Sequence, residues 1–164
     1  MIPSSISDHE VLSYQSPFSI DSLRSSKLLI TENQKTCRSF LKQCGIKPPY
    51  DAYEFVTLDK KSNQLSKNEL LTRVKNEKLK AAIISEAGSP GIADPGQDFL
   101  KMAYELDIPV HPVVGPSAIF LSMSISGLNG QNFAFNGYLS VKEKELLTLK
   151  LLTFGIQATW FPRH

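Results

Sequence analysis

The segment of residues 85–96 combines a rigid backbone with two carboxylates, a pattern that favours a ligand-binding loop. It holds three glycines and two prolines, and at twelve residues it is far longer than the usual connection of ~2–6 residues. Glycine lets a ligand approach the backbone closely, and proline removes conformers that binding would otherwise freeze. Glu86 and Asp94 frame the segment and suit a cationic or neutral ligand better than a pyrophosphate. The alternative is a plain strand-to-helix connection in which Asp94 only caps the following helix.

Other chemical signatures are weaker or missing. The chain has no Gly-x-Gly-x-x-Gly and no Gly-x-x-x-x-Gly-Lys-Ser/Thr motif, which removes the main support for dehydrogenase and phosphate-loop functions. The three histidines are scattered, and we predict no metal site. Lys35, Arg38 and Lys42 are spaced i, i+3, i+7 and share one face of a predicted helix. That face either contacts phosphates or is simply solvated.

Composition places the chain among ordinary globular proteins. It has 164 residues, a net charge of +2, 41% hydrophobic and 21% charged residues. These values exclude a disordered tail, a collagen-like rod and a coiled coil. No apolar run approaches the ~20 residues of a membrane span, and no secretory signal is recognisable. Cys37 and Cys44 lie about two helical turns, roughly 10 Å, apart, too far for a disulfide. We therefore expect a reduced, cytoplasmic protein without membrane partners.

Alternating strand and helix patterns predict the fold class α/β, an open and mostly parallel sheet with flanking helices. Predicted strands cover residues 27–31, 52–58, 81–84, 108–114 and 133–135. Predicted helices run from a cap at Thr31 or Asn33 to Cys44, from Ser66, through Phe99, from Pro116 to Leu128, and over residues 142–152. Residues 1–26 read as loop with at most one short helix. Ligands of such sheets bind outside the carboxyl ends of the strands. The loops at 85–96 and 115–118 are both predicted to leave such ends.

Several motifs resemble one enzyme family. Residues 85–96 resemble the Asp-Ala-Gly-Thr-Pro-x-Ile-Ser-Asp-Pro-Gly signature of the ribosomal RNA small subunit methyltransferase I family, with Glu86 in place of the usual Asp. This family belongs to the tetrapyrrole methylase superfamily of S-adenosylmethionine-dependent enzymes. Residues 113–118 look like its Pro-Gly-Pro-Ser-Ala block, and residues 133–139 look like its Phe-x-Phe-x-Gly-Phe-Leu strand. Residues 1–3 look like the end of its first strand.

The resemblance implies an activity and a set of site residues. It implies methyl transfer from S-adenosyl-L-methionine to a ribose 2′-hydroxyl of small-subunit ribosomal RNA, in a homodimer. Glu32 is the candidate general base, although a carboxylate that only interacts with a helix dipole fits it as well. Lys35 and Arg38 are the candidate contacts to the ribosomal RNA or small ribosomal subunit. The implied cofactor-binding residues are Glu86, Ala87, Gly88, Ser89, Ile92, Asp94, Gly115 and Ser117.

The resemblance also implies a domain division. Residues 1–130 correspond to the N-terminal α/β cofactor-cleft domain, and residues 131–164 to the start of a C-terminal domain that is largely missing. In the family the cofactor lies between these two domains, and residues 154–164 do not match the family's continuation. One alternative is therefore an inactive truncated remnant that acts at most as a binding or dimerising module. Another is a methyltransferase for a small molecule other than RNA.

Overall fold

The computed structural model describes residues 1–6, 11–57, 64–135 and 137, and the chain divides into two compact units, Met1–Ala118 and Ile119–His164. The predicted domain boundary at residue 130 stays a prediction. The helices and strands of the described ranges are α1 (Val11–Tyr14), α2 (Pro17–Ser25), β1 (Leu28–Thr31), α3 (Gln34–Gln43), β2 (Glu54–Thr57), α4 (Gln64–Asn76), β3 (Ala81–Ile84), α5 (Gly96–Glu105) and α6 (Ala118–Ile125). Among these elements, no helix is both long and apolar enough to cross a membrane.

The strands form the predicted open parallel sheet, in the order β2-β1-β3. Leu28 is in register with Glu54 on one side and with Ala81 on the other. Ile2 adds a single parallel bridge at the far side of β3, where its amide donates to the carbonyl of Ile83 at 3.0 Å. The α/β prediction is therefore confirmed.

The strand order places a topological switch point between β1 and β3. From β1 the chain runs through α3 to β2, on one side of the sheet. From β3 it runs through α5 to the opposite side, where Val113 N donates to Met1 O at 3.0 Å and the Met1 amino group donates to His111 O at 2.8 Å. Because the two connections leave neighbouring strands in opposite directions, a crevice opens at their carboxyl ends.

Hydrophobic layers cover both faces of the sheet. All four residues of β1 are buried, as expected for a central parallel strand. Leu29 packs with the layer of α2 and α3, and Leu28 and Ile30 pack with the layer of α4 and α5. Each fully buried leucine or isoleucine contributes about 1.5–3 kcal/mol relative to an exposed position. This two-sided burial holds the carboxyl ends of β1 and β3 in place.

Helix α3, which forms one wall of the crevice, follows directly from its sequence. Asn33 is its N-cap, and its Oδ1 accepts from Lys35 N at 2.9 Å and from Thr36 N at 3.4 Å. The apolar stripe that includes Phe40 and Leu41 is buried, and Gly45 ends the helix at a φ of +75°. The predicted helix is confirmed, and Asn33 is its cap.

The prediction for residues 1–26 was wrong, because this segment holds two helices, α1 and α2. Ser16 caps α2 by accepting from Ser19 N at 3.1 Å, and Pro17 occupies the first helical position. Leu23 is fully buried in the core. The many serines interrupt the apolar periodicity of these helices. In the sequence, a serine that caps a helix, such as Ser16, cannot be told from a serine in a loop.

Two predicted strands are also wrong. Residues 108–114 are irregular, since Pro109 and Pro112 have no amide hydrogen to donate to a ladder. Residues 133–135 have no strand assignment either; Phe133 instead contacts Phe120 edge-on, with ring centroids 6.5 Å apart.

Smaller differences concern helix ends. Helix α4 begins at Gln64, two residues before the predicted cap Ser66. Helix α6 spans Ala118–Ile125, so Pro116 precedes it by two residues and the helix stops before Leu128. The predicted helix over residues 142–152 lies outside the described residues.

Both cysteines are free and buried, in agreement with the predicted absence of a disulfide between them. Burial raises the pKa of the Cys37 and Cys44 thiols from 9.0 to about 11. Since the thiolate is the reactive form, we expect these thiols to react with Ellman's reagent at pH 8 about a hundredfold more slowly in the folded than in the urea-unfolded protein. The thiols stay protonated to a higher pH in the folded than in the unfolded state, so the free energy of unfolding falls as pH rises from about 9 towards 11. Equal reaction rates in both states would contradict this burial.

Candidate functional site

A polar crevice of about 250 Å³ opens at the carboxyl ends of β1 and β3, at the topological switch point. The end of β1, the end of β3 with the residues that follow it, the N-terminal segment and one side of α3 form its walls. The lining residues are Ser4, Ser5, Ile6, Thr31, Thr36, Cys37, Ser39, Phe40, Gln43, Ile84, Ser85, Glu86 and Ala87. Glu86 is the one charged side chain among them, and six of the others are serines or threonines.

The N-terminal segment joins the two predicted loops behind this crevice. Ser4 N donates to Gly88 O at 2.9 Å, which attaches the segment to the first loop. The second loop packs on the same segment, since a Cβ built on Gly115 would lie 2.7 Å from the Cβ of Pro3. Only glycine allows this approach. The loops at 85–96 and 115–118 thus lie beside the same segment, but only the first leaves a strand end as predicted, since residues 108–114 form no strand.

Ser4 is a site residue that the sequence analysis missed. Its side chain is 3% exposed, lines the crevice, and its Oγ has no hydrogen-bond partner in the part of the chain that the structure describes. A buried hydroxyl without a partner costs about 1–3 kcal/mol. The cost is removed when a polar ligand group occupies the crevice. A serine in a serine-rich segment carries no sequence signal that would have distinguished it.

Glu86 presents a carboxylate to the crevice. Its Oε1 accepts from the Thr36 hydroxyl at 3.0 Å, which links the first loop to α3. The side chain is otherwise exposed, so its second oxygen is available to a ligand. An ionised carboxylate accepts hydrogen bonds and attracts cations. The crevice therefore combines one anionic acceptor with several hydroxyl groups.

Asp94 turns into its own loop. Its two carboxylate oxygens accept from Gly91 N at 2.9 and 2.8 Å, and Oδ1 also accepts from Gly96 N at 2.7 Å. Gly96 is the first residue of α5 and Pro95 its N-cap, so the carboxylate accepts from the first amide of this helix. Gly91 has a φ of +86° and Ala93 a φ of +59°, which shows how tightly the loop is wound. The role of Asp94 in the described structure is to hold the loop shape.

The other predicted cofactor residues lie at different distances from the crevice. Ala87 lines it beside Glu86. Gly88 is buried directly behind Ser4, with a φ of +71°. The remaining predicted residues do not line the crevice: Ser89, Ile92, Asp94, Gly115 and Ser117. Their contacts with a cofactor stay predictions.

The predicted base and phosphate contacts lie around α3. Glu32 follows β1 directly and is half-buried, but it does not line the crevice. Lys35 and Arg38 are exposed on α3. Within the described ranges, no group of three potential metal-ligating side chains comes together.

Comparison with known proteins gives a consistent set of relatives. Ribosomal RNA small subunit methyltransferase I of Xylella fastidiosa is 33% identical over 121 residues, which is 73% of this chain and 42% of that protein. The same-named protein of Leptospira biflexa is 32% identical over 123 residues, 75% of this chain and 49% of its own length. The same-named protein of Thermotoga maritima is 30% identical over 133 residues, which is 81% of this chain and 57% of that protein. No family model matches the chain.

The chain spans about half the length of the curated relatives it matches. The similarity extends over most of the chain and agrees with the resemblance found in residues 85–96 and 113–118. Over the part that it shares with these relatives, the chain is similar to the ribosomal RNA small subunit methyltransferase I family.

Proposed function

We propose that the crevice binds S-adenosylmethionine and that the protein transfers its methyl group to a ribose 2′-hydroxyl of small-subunit ribosomal RNA. The observation that carries this proposal is the crevice at the switch point, where Ser4, whose buried hydroxyl has no partner among the described residues, lies on the same lining as the Glu86 carboxylate. The names of the relatives support the choice of methyl donor and of RNA as the acceptor.

The residues of the crevice fit such a cofactor. The ligand carries a positive sulfonium, ribose hydroxyls and an amino-acid group, and the lining offers one carboxylate and several hydroxyls to them. The volume of about 250 Å³ lies just under the ~300 Å³ at which pockets begin to enclose drug-sized ligands. The crevice would therefore hold one portion of the cofactor. The family's arrangement, with the cofactor between two domains, agrees with this.

Catalysis by this chain would rest on positioning. The bound cofactor supplies a methyl group activated by its sulfonium. Ser4 and Glu86 would orient the ligand, and Asp94 keeps the loop that carries Glu86 in shape. Holding reactants in line converts a bimolecular step into an effectively unimolecular one. Glu32, which follows β1, would accept the proton of the acceptor hydroxyl when RNA lies over this edge of the sheet.

The proposal also covers the oligomeric state, cellular location, domain division and RNA contacts of the protein. A homodimer, a cytoplasmic location, and a division into domains near residue 130 are all expected from the family. Lys35 and Arg38 would contact the RNA. Size-exclusion chromatography with light scattering tests the dimer directly.

Isothermal titration calorimetry tests the cofactor assignment. We expect saturable binding of S-adenosylmethionine and of its product S-adenosylhomocysteine to the purified protein. Adenosine triphosphate is the control, because the described lining residues include no positive side chain for a triphosphate. No heat with either cofactor form at millimolar concentration would contradict the assignment and favour a non-catalytic binding module.

Replacing Ser4 by alanine has two opposite expected effects. Without ligand, the variant loses an unsatisfied buried hydroxyl, so the free energy of unfolding rises by about 1 kcal/mol. Affinity for S-adenosylmethionine falls, by about fivefold for one neutral hydrogen bond. Urea denaturation and calorimetry measure the two effects.

Ser39 provides the matched control for this prediction. Its side chain lines the same crevice but is exposed, so Ser39→Ala leaves the free energy of unfolding within about 0.5 kcal/mol of the original. A loss of stability in Ser4→Ala would show that the Ser4 hydroxyl is already satisfied in the free protein, and would remove it from the site.

A further inference from the structure

A second pocket, of about 370 Å³, lies between α3 and the outer strand β2. Among the described strands, β2 pairs only with β1, so this side of the sheet is open. We call it the Arg38 pocket, and its lining residues are Arg38, Pro49, Tyr50, Asp51, Tyr53 and Phe55. The lining is dominated by planar groups, with one cation and one anion at its edge.

The planar groups are already arranged for stacking. The Arg38 guanidinium carbon lies 4.9 Å from the centre of the Phe55 ring. The Tyr53 ring meets Phe55 edge-on, with centroids 6.3 Å apart and an interplanar angle of 62°. Tyr53 and Phe55 are half-buried against the core, which limits their freedom to move. A flat ligand that enters the pocket therefore meets preformed surfaces.

The charges around the pocket suit a nucleic acid strand. Lys35 and Lys42 are exposed and share one face of α3 with Arg38. None of these three cations takes part in an ion pair with another described residue. Cations beside aromatic rings are the combination that proteins use to hold the backbone and the bases of single strands. The Asp51 carboxylate can accept from an amino or imino group at the edge of a base.

We propose that the Arg38 pocket binds an unpaired RNA base, so that the substrate reaches α3 as a single-stranded segment. The choice of RNA rests on the proposed function. A base in a duplex is already stacked and paired, and its faces cannot enter the pocket. Helix α3 connects the two sites, because Thr36 lines the crevice and Arg38, two residues on, lines the pocket. A base in the pocket would thus lie about one helix diameter, ~10 Å, from the crevice.

Fluorescence anisotropy with a labelled twelve-nucleotide RNA tests this proposal on the whole chain without cofactor. We expect the single strand to bind at least tenfold more tightly than the same RNA annealed to its complement. Arg38→Ala should weaken single-strand binding about tenfold, which corresponds to about 1.4 kcal/mol. Arg38→Lys should lose most of the same affinity, because lysine keeps the charge but not the planar group. Arg38 is exposed, so neither variant removes core packing.

Controls separate stacking from general charge attraction. Lys101→Ala and Tyr104→Ala, exposed positions on α5, should leave RNA affinity unchanged. Tyr53→Phe should bind RNA like the original protein, whereas Tyr53→Ala should bind more weakly. Equal binding of duplex and single strand, or an Arg38→Lys variant that binds like the original, would overturn the proposal. Calorimetry with S-adenosylmethionine tests the crevice and anisotropy with RNA tests the Arg38 pocket. A failure of the cofactor assignment is therefore distinguishable from a failure of the RNA proposal.

Discussion

Glu86→Gln should lower the affinity for S-adenosylmethionine by about ten- to a hundredfold. Among the described residues that line the crevice, Glu86 alone is charged, and hydrogen bonds to charged groups contribute about 1.5–3 kcal/mol. Glutamine has nearly the same shape and keeps an oxygen that can accept from the Thr36 hydroxyl. The effect therefore reports the loss of charge, and calorimetry measures it as the ratio of dissociation constants.

The charge of the ligand gives an internal check on this result. S-adenosylmethionine carries a sulfonium and its product does not, so the substitution should lower the affinity for S-adenosylmethionine more than the affinity for the product. Glu69→Gln, at an exposed position on α4, removes the same charge from another part of the chain and should change neither affinity. An unchanged dissociation constant in Glu86→Gln would exclude Glu86 from the cofactor site.

Asp94→Ala should lower the free energy of unfolding by about 2–3 kcal/mol. The change removes three short contacts to the amides of Gly91 and Gly96 and leaves the start of α5 without its charged acceptor. Only two amides make these three contacts, and a hydrogen bond to a charged acceptor contributes about 1.5–3 kcal/mol. Because both amides are only partly buried, we expect less than the full sum for two such bonds. Urea denaturation followed by circular dichroism measures the loss.

Asp21→Ala is the matched control. Asp21 lies on α2 with a side chain 72% exposed, paired with Arg24 at 3.6 Å, and its loss should cost less than about 0.5 kcal/mol. If Asp94→Ala instead kept full stability and lost cofactor affinity, Asp94 would contact the ligand directly. That outcome would restore the role that the family resemblance implies for this residue.

The sequence predicted well those elements whose residues carry their own signals. The apolar run of residues 81–84 is a strand, as such continuity predicts, with Ala82 and Ile84 buried and Ala81 and Ile83 partly buried. Asn33 and Gly45 mark the two ends of α3. Both ends could be predicted because an N-cap and a left-handed glycine act on residues only a few positions away. The strand prediction failed at residues 108–114, where Pro109 and Pro112 interrupt the apolar pattern and cannot donate to a strand ladder. The contact of Val113 with the distant Met1 has no local signal in the sequence.

For the site, the sequence by itself determined which loop is rigid and acidic, and the tertiary structure decided which of its groups face a ligand. Glycine, proline and carboxylate positions follow from residue identity. Glu86 and Asp94 look alike in sequence, yet one faces the crevice and the other turns into its own loop. Ser4 joins the site only because the N-terminal segment forms isolated bridges to Ile84 and Gly88, about eighty positions further along the chain. Contacts between residues so distant in sequence depend on how the layers of the fold pack, and a local sequence pattern does not predict them.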